Sequence, residues 1–410
     1  MKFSELGLNE SILEAIGYMG FEDATPIQEL SIPIILDGKD IIACAQTGTG
    51  KTAAFILPVL NKICEQGSNG INTLVVCPTR ELALQIDKQI QGFSYFAGAD
   101  SFPVYGGGEG SDWDKQKNAL TSGADIIVAT PGKLLSHLSM GYVDLSNLKH
   151  FILDEADRML DMGFNEDIAK IVSYLPEKRQ NLMFSATMAP KIRQLVKKAM
   201  VDPVEVNIAL AKPAEGVLQA AYCVFDGQKD AVIKSLIQDK PECKSIIIFT
   251  STKKKVNTIV RALKGNGYEV RGVSSDLEQK SREEALARFR SRKTRVVVAT
   301  DVLARGIDIK DINLVINYDV PRDAADYVHR VGRTARADTT GIALTMINPD
   351  DMYKFKRIEE LIETEIYKVP VDEKFGPAPE WNPKSGGNRG GGRSGGYKGG
   401  GKKKFYKKKG

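Results

Sequence analysis

Short, continuous runs of apolar residues recur along the first half of the chain, separated by longer stretches of mixed polarity. A strand of a parallel sheet shows such a run because both of its faces are covered, whereas a strand with one face in water alternates apolar and polar residues. The intervening stretches 51–66, 80–92 and 189–200 have the length of helices. The pattern therefore predicts a parallel sheet covered by helices, with strands at 40–45, 73–77, 125–130, 151–155 and 181–185.

The second half of the chain repeats this plan. Residues 207–216 separate the halves and contain Pro213 and Gly216, which is typical of a short linker. The predicted fold class is α/β, with two domains in tandem, at 1–206 and 217–368, followed by a tail at 369–410. The strands predicted for the second domain lie at 245–250, 295–300, 313–318 and 342–347.

Composition narrows the class of protein. The chain has 410 residues, of which 42% are hydrophobic and 27% charged, enough for two packed cores. No apolar run approaches the roughly 20 residues of a membrane-spanning helix, and the N-terminus lacks the pattern of a secretory signal. Five scattered cysteines without a Cys-x-x-Cys pair fit reduced thiols. We therefore expect a cytoplasmic protein with no membrane partner and no zinc site.

Positive charge is concentrated at the C-terminus. The net charge is +5, and residues 376–410 hold ten Lys or Arg against one acid, so they carry +9 and the other 375 residues carry −4. Residues 385–410 are mostly Gly, Lys and Arg with isolated aromatic residues, which predicts disorder. Such a composition suits single-stranded nucleic acid, because charges follow phosphates and rings stack on bases. A tail that only improves solubility is the alternative.

A glycine-rich segment follows the first predicted strand and opens a predicted helix. Residues 45–52, AQTGTGKT, fit the phosphate-loop pattern except at Ala45, where glycine is usual. Gly48 and Gly50 let backbone N–H groups turn toward a phosphate. In such loops the Lys reaches the β- and γ-phosphates and the following hydroxyl binds Mg²⁺, which assigns these roles to Lys51 and Thr52. The sequence therefore predicts a nucleotide site that uses ATP and Mg²⁺.

The strand at 151–155 runs directly into Asp154, Glu155 and Asp157. Burying several carboxylates at the end of a strand is costly unless a cation pairs with them. A nucleotidase with a phosphate loop needs an acid that holds Mg²⁺ and a residue that orients the attacking water. Asp154 fits the first role and Glu155 the second. An acidic cluster that merely caps a helix is the alternative.

The chain resembles the DEAD-box ATP-dependent RNA helicases, whose name is spelled at 154–157 and whose motifs follow in order from about Phe3 to Ala337. The resemblance implies two RecA-like domains with ATP and Mg²⁺ in the cleft between them. Residues 20–28 resemble the family's Q motif, in which Gln28 reads the adenine edge and Phe3 covers the base. The nucleotide-binding residues implied are Phe3, Gln28, Ala45, Gln46, Thr47, Gly48, Thr49, Gly50, Lys51, Thr52, Gly306 and Asp308.

The resemblance also implies that RNA lies across both domains and is held mainly by its backbone. SAT at 185–187 resembles the motif that couples the nucleotide site to RNA, with Ser185 and Thr187 contacting Asp157, and His329 would link the site across the domains. The RNA-binding residues implied are Pro78, Thr79, Arg80, Gly107, Gly108, Thr130, Pro131, Gly132, Lys133, Thr250, Gln279, Arg282, Thr300 and Asp301.

HRVGRTARAD at 329–338 resembles the family motif that supplies arginine fingers, here Arg333 and Arg336. Because the phosphate loop and the carboxylates belong to the first domain, these arginines stabilise the γ-phosphoryl charge only when the domains close. A surface ion pair is the alternative for each of them. The chain departs from the family pattern at Ala24, Lys133, Ser274–Ser275 and Ala335, which replace proline, arginine, His-Gly and glycine.

The resemblance implies an RNA-dependent ATPase that separates short RNA duplexes locally or remodels RNA–protein complexes. An ATP-gated RNA clamp that serves as a scaffold has the same motifs and is the alternative. A DNA translocase or a protein-remodelling ATPase on the same domains fits the motifs at 185–187 and 279–282 less well. The compact ends and short basic tail resemble the bacterial RhlE-type branch, which suggests ribosome-assembly or RNA-turnover proteins as partners. We expect a monomer.

Overall fold

A computed structural model describes residues 1–45, 48–107, 110–188, 190–208, 216–265, 267, 269–274, 276–301, 312–321, 324–334 and 341–384. Within them the chain forms two α/β units of similar plan. Each is built on a parallel sheet of seven strands.

The sheet of the first unit has the strand order β3-β4-β2-β5-β6-β1-β7. A 3-10 turn at Phe3–Glu5 precedes the first helix. The elements in chain order are α1 (Glu10–Tyr18), α2 (Pro26–Leu36), β1 (Ile41–Cys44), α3 (Lys51–Gln66), β2 (Thr73–Val76), α4 (Arg80–Phe93), β3 (Ser101–Val104), α5 (Gly110–Ser122), β4 (Ile126–Ala129), α6 (Pro131–Leu138), β5 (His150–Leu153), α7 (Ala156–Asp161), α8 (Asn165–Val172), β6 (Gln180–Ser185), α9 (Pro190–Ala199) and β7 (Val204–Asn207).

The second unit repeats this topology with the strand order β10-β11-β9-β12-β13-β8-β14. Short 3-10 turns lie at Asp226–Gln228, Pro349–Asp351 and Glu373–Phe375. Its elements are β8 (Val217–Cys223), α10 (Lys229–Gln238), β9 (Ile246–Thr250), α11 (Lys253–Leu263), β10 (Val270–Val273), α12 (Gln279–Arg290), β11 (Val296–Thr300), β12 (Leu314–Asn317), α13 (Ala324–Val331), β13 (Gly341–Ile347), α14 (Met352–Ile362) and β14 (Tyr367–Lys368).

Both faces of each sheet are buried, as continuous apolar runs require. In β2, Val75 packs into one core cluster while Leu74 and Val76 pack into another. In β9, Ile247 and Ile248 face opposite clusters in the same way. The α/β fold predicted from the sequence, with two parallel sheets covered by helices, is confirmed.

The nine strands predicted from continuous apolar runs are present, within one or two residues at their ends. The pattern missed β3, β7, β10 and β14, which are the outermost strands of their sheets, and β8 beside β14. Outer strands have one neighbour and need no continuous apolar run; β3 even contains Pro103, which edge strands tolerate. In β8, buried and exposed residues are mixed, so it lacks the run as well.

Residues 369–384 belonged to the predicted tail, but the structure places them against the second unit. Trp381 packs on its core, with its ring 6.0 Å from that of Phe355 at 88°. The Gln228 side chain donates from Nε2 to the carbonyls of Phe375 and Pro377 at 2.8 and 3.0 Å. Residues 385–410 lie outside the described residues. Among the helices that are described, none is long and apolar enough to cross a membrane.

Candidate functional site

Several predicted site residues meet at one edge of the first sheet. Strands β5, β6 and β1 are adjacent and parallel. β1 leads through the phosphate loop to Lys51, β5 leads to Asp154, and β6 ends at Ser185. The carboxyl ends of parallel strands point the same way, so these residues share the edge where α/β sheets usually bind ligands.

The phosphate loop turns sharply into α3. Gly48 and Gly50 have φ of 89° and 93°, left-handed values that a residue with a Cβ rarely adopts. Lys51 opens the helix, is 6% exposed and donates from Nζ to the Ala45 carbonyl at 2.7 Å. The arrangement forms a phosphate cradle at a helix N-terminus. Thr49 and Thr52 are described with the cradle; Gln46 and Thr47 lie outside the described residues.

The Gln28 side chain contacts the phosphate loop. Its Oε1 accepts from the backbone N–H of Thr25 at 2.9 Å, and its Nε2 donates to the Gly50 carbonyl at 3.1 Å. A Cβ at position 50 would overlap the Gln28 amide, so glycine is required there for space as well as for φ. Phe3 is 4% exposed and packs in the core of the first unit. The contact between Gln28 and the phosphate loop was not predicted from the sequence.

Asp154 lies at the end of β5 and is 3% exposed. Burial raises the pKa of its carboxyl to about 7, although the nearby Lys51 ammonium opposes the shift. The charge of Lys51 therefore offsets the cost of burying this carboxylate only in part. A buried carboxylate short of a counter-charge, close to the lysine of a phosphate cradle, fits a hard cation such as Mg²⁺.

Glu155 has an unusual backbone conformation, with φ and ψ both at 50°. A non-glycine residue in this left-handed region is strained, and such residues cluster at functional sites. The backbone N–H of Glu155 donates to Asp154 Oδ1 at 2.9 Å. Its carboxylate accepts from Arg158 Nη1 at 3.0 Å, with side-chain exposures of 12% and 4%. The strained turn and the buried ion pair together fix the direction of this carboxylate.

The predicted coupling residues lie side by side at the ends of β5 and β6. The Thr187 hydroxyl donates to Asp157 Oδ2 at 3.3 Å. The Ser185 hydroxyl instead donates to the Thr187 carbonyl at 2.8 Å. The direct contact between Asp157 and this motif is therefore made by Thr187. The Ser185 hydroxyl holds the loop that carries Thr187 in place.

The RNA elements predicted in the first unit follow β2, β3 and β4. Pro78 and Thr79 precede α4, and the Thr79 hydroxyl caps it by accepting from the Leu82 N–H at 3.3 Å. Arg80 Nη1 donates to the Gly107 carbonyl at 3.3 Å, which joins two of these elements. The third comprises the N-cap and first residues of α6, namely Thr130, Pro131, Gly132 and Lys133. Gly108 lies outside the described residues.

Thr250, predicted to bind RNA, ends β9 beside a buried carboxylate. Its hydroxyl donates to Asp319 Oδ2 at 2.9 Å, and Asp319 also accepts from the Ser251 backbone and hydroxyl and from Lys255. Burial disfavours the charged form, but these donors outweigh it and lower the pKa of Asp319 well below its usual range. Sequence reasoning missed Asp319; its only signal was its place just after a predicted strand.

Asp301, also predicted to bind RNA, follows Thr300 at the end of β11. Its two carboxylate oxygens accept from Arg330 Nε and Nη2 at 2.6 and 2.8 Å. Arg330 is 3% exposed and also donates to Asn317 Oδ1 and to the Asp319 carbonyl. Arg330 was missed, although it stands inside the motif at 329–338. This buried arginine joins the ends of β11 and β12 to helix α13.

Two arginines predicted to bind RNA form ion pairs between the units. Arg80 Nη2 lies 2.8 Å from Glu283 Oε1, and Arg282 Nη1 lies 3.4 Å from Glu81 Oε1. Gln279 begins α12, but its side chain is outside the described part. His329 lies in α13, and Arg333 lies two residues beyond the end of that helix. The other predicted positions outside the described residues are Ser275, Gly306, Asp308, Ala335 and Arg336.

Comparisons with known proteins agree with this geometry. Residues 25–195 match the family described as DEAD/DEAH box helicase, and residues 228–338 match the helicase conserved C-terminal domain. The chain is 42% identical to the ATP-dependent RNA helicase CshA of Listeria monocytogenes over 378 residues, which are 91% of this chain and 72% of that protein. It is 41% identical to the DEAD-box ATP-dependent RNA helicase CshA of Bacillus subtilis, covering 90% and 74%.

Among solved structures, the chain is similar to S. cerevisiae Dbp5 bound to RNA and ADP BeF3. The TM-score is 0.79 at 31% identity, over 91% of this chain and 96% of that one. The two family matches together include the phosphate cradle, its acidic neighbours and the motifs of the second unit. The chain therefore belongs to the family of DEAD-box ATP-dependent RNA helicases.

Proposed function

We propose that this ATP-dependent RNA helicase binds ATP in the cradle at 45–52 and RNA across the carboxyl edges of both sheets. The observation that carries the proposal is the meeting of Lys51, Asp154 and Glu155 at the carboxyl edge of the first sheet, where burial raises the pKa of Asp154 to about 7. A buried lysine beside a carboxylate that needs a cation suits the triphosphate–Mg²⁺ complex. Acceleration of ATP hydrolysis by single-stranded RNA, and not by DNA of matched length, tests the proposal.

The nucleotide-site residues of the first unit have the following proposed roles in binding and hydrolysis. Lys51 binds the β- and γ-phosphates, and Thr52 and Asp154 would hold Mg²⁺. Bound Mg²⁺ would neutralise charge on the phosphate oxygens. Glu155, directed by its strained turn and by Arg158, orients the attacking water and accepts its proton. Gln28 reads the adenine edge while its contact with the Gly50 carbonyl ties base recognition to the phosphate loop.

The second unit completes the site. Arg333 and Arg336 act as fingers that stabilise charge on the γ-phosphoryl group, together with nucleotide contacts from Gly306 and Asp308. The hydrogen bond between Thr187 and Asp157 couples the nucleotide site to the RNA surface. His329 links the two units. Because ATP and RNA both make contacts that exist only when the units close, each ligand favours binding of the other.

RNA is held mainly by its phosphates and sugars, so sequence preference is low. Closure bends one strand of a short duplex and separates it locally, and hydrolysis then reopens the cleft. The alternative is an ATP-gated clamp that holds RNA as a scaffold with little unwinding. Release of labelled RNA at the rate of ATP turnover would support the helicase, whereas RNA retained over many turnovers would support the clamp.

The basic tail contributes affinity by keeping RNA at a high effective concentration. Residues 385–410 carry nine Lys or Arg and no acid, and deleting them leaves the packed segment at 369–384 in place. We expect the deletion to weaken RNA binding and to flatten the dependence of log K on log salt, which a fluorescence titration at several salt concentrations measures. An unchanged slope would leave the tail as a solubility device.

The cellular setting follows from the proposed chemistry. An enzyme that uses ATP to act on RNA, and whose own cysteines fit reduced thiols, belongs in the cytoplasm. Ribosome-assembly or RNA-turnover proteins are the proposed protein partners, and a monomer is the proposed state because both ligands are bound by one chain.

A further inference from the structure

Lys133 stands where the family usually has arginine, at the first turn of α6. A lysine keeps the positive charge but loses the rigid, bidentate geometry with which arginine grips a phosphate. Both side chains have similar rotamer freedom, but arginine loses less of it for each hydrogen bond because its planar fork is pre-organised, so lysine loses more. A compensating contact that holds its ammonium in place would offset both losses.

Trp113 on α5 provides such a contact. The Lys133 Nζ lies 4.1 Å from the centre of the Trp113 ring, within the range of a cation–π interaction. The same ring stacks on His137, with centroids 4.0 Å apart and planes at 20°. His137 follows Lys133 by four residues and so shares its face of α6. The indole is therefore fixed by one residue of this helix face while it holds the other.

His137 is itself fixed. It is fully buried, its Nδ1 is bonded to the Tyr142 hydroxyl, and its Nε2 lies 3.1 Å from Gln116 Oε1. Burial, with a smaller contribution from Lys133, lowers the pKa of His137 to about 4. The ring is thus neutral at physiological pH, with one nitrogen donating to the Gln116 oxygen and the other accepting from the tyrosine.

The contacts continue to the other RNA elements of the first unit. Gln116 Nε2 donates to the Tyr105 carbonyl at 3.1 Å. The Tyr105 ring lies 4.4 Å from the Arg80 guanidinium, and Arg80 in turn donates to the Gly107 carbonyl. An unbroken series of contacts therefore runs from Lys133 through Trp113 to Gly107 and Arg80.

We propose that Trp113 is a positioning residue for RNA binding, which holds the Lys133 ammonium at the site of a backbone phosphate and fixes it relative to Arg80 and Gly107. This inference rests on the proposed RNA function of the site. The ammonium has three donors, so the ring can hold one side of it while phosphate oxygens accept on the other. Trp113 thereby compensates for the missing arginine geometry.

The test compares Trp113→Leu, Trp113→Phe, Lys133→Ala and the double variant Trp113→Leu/Lys133→Ala in the full chain. Binding of fluorescent single-stranded RNA is titrated with a non-hydrolysable ATP analogue at several salt concentrations. We expect Trp113→Leu to weaken binding roughly threefold to tenfold and to reduce the salt slope by about 0.7, the loss of one phosphate contact. Trp113→Phe keeps an aromatic face and most of the affinity.

The double variant separates positioning from other roles. If Trp113 acts through Lys133, the double variant binds RNA as Lys133→Ala does. If the fold-losses of RNA affinity in the two single variants instead multiply in the double variant, the proposal is overturned. Trp113 would then contact RNA itself or support the fold alone. Trp113→Leu binding with wild-type affinity and slope would overturn it too. Thermal unfolding of each variant identifies loss of fold, and Trp113→Met, which also removes the aromatic face, replaces the leucine variant if that variant is unstable.

Failure of this inference is distinguishable from failure of the proposed function. If Lys133→Ala and Arg80→Ala both bind RNA with wild-type affinity, RNA does not bind at this edge of the sheet. Lys133→Ala that weakens binding while Trp113→Leu does not would remove only the role of Trp113. Lys178→Ala is the matched control, because this exposed lysine precedes β6 at the opposite edge of the sheet; its salt slope is expected to equal that of the wild type.

Discussion

A Glu155→Gln variant is expected to hydrolyse ATP about 10²- to 10⁴-fold more slowly than the wild type, the usual contribution of a general base, while still binding ATP and RNA. Glutamine has nearly the same shape, and its amide oxygen can accept the hydrogen bond that Arg158 donates at 3.0 Å in the wild type. The substitution therefore removes the base and leaves the strained turn supported. Single-turnover hydrolysis separates the chemical step from nucleotide binding.

The matched control for this variant is Glu177→Gln. Glu177 is an exposed residue between α8 and β6, at the edge of the sheet opposite the nucleotide site. It undergoes the same chemical change and should hydrolyse ATP at the wild-type rate. Wild-type turnover by Glu155→Gln would contradict the role given to Glu155. A variant that no longer binds ATP would instead place Glu155 in nucleotide binding.

Arg333→Ala is expected to reduce RNA-stimulated ATP hydrolysis about 10³- to 10⁵-fold, the range of an arginine finger. Arg333 lies two residues after α13 in the second unit, whereas Lys51 and Asp154 belong to the first. The finger therefore acts only when the units close, and its loss should affect turnover far more than ATP affinity. Stopped-flow measurement of phosphate release in the presence of saturating RNA gives the rate.

Arg333→Lys distinguishes a finger from a simple positive charge. Lysine keeps the charge but lacks the planar fork of donors, so we expect it to recover only a small part of the rate. Full recovery by lysine would reduce the role of Arg333 to long-range electrostatics. Unchanged turnover in Arg333→Ala would assign the residue to a surface ion pair, as the sequence alone allowed.

The interior of the fold was predictable because its inner strands need continuous apolar runs, and 246–250 or 296–300 carry them unmistakably. Strands at the sheet edges lack that constraint, which is why β3 and β10 were missed. Composition also assigned 369–384 to the tail, although Trp381 packs on Phe355 there. Isolated anchors in a polar segment, here Trp381 with the partly buried Val371 and Phe375, have no periodic pattern that a sequence could reveal.

The turn of the phosphate loop into α3 was predictable because one short segment forms it, and local residue order fixes its geometry. Partners distant in sequence were not. Asp301 was predicted to bind RNA, yet its carboxylate is engaged by Arg330, 29 residues away. Thr187 makes the direct hydrogen bond to Asp157 that was predicted for Ser185 as well. These pairings depend on which loops the sheet order brings together, and residue type alone does not encode that.

The measurement that tests coupling between the units most directly is steady-state ATP hydrolysis by the 410-residue chain, with and without single-stranded RNA. DNA of the same length and sequence is the control for charge. Strong stimulation by RNA and not by DNA is the predicted result, because both ligands favour the same closed state. Hydrolysis that is indifferent to RNA would contradict the account, leaving an ATPase site that is not coupled to the predicted RNA surface.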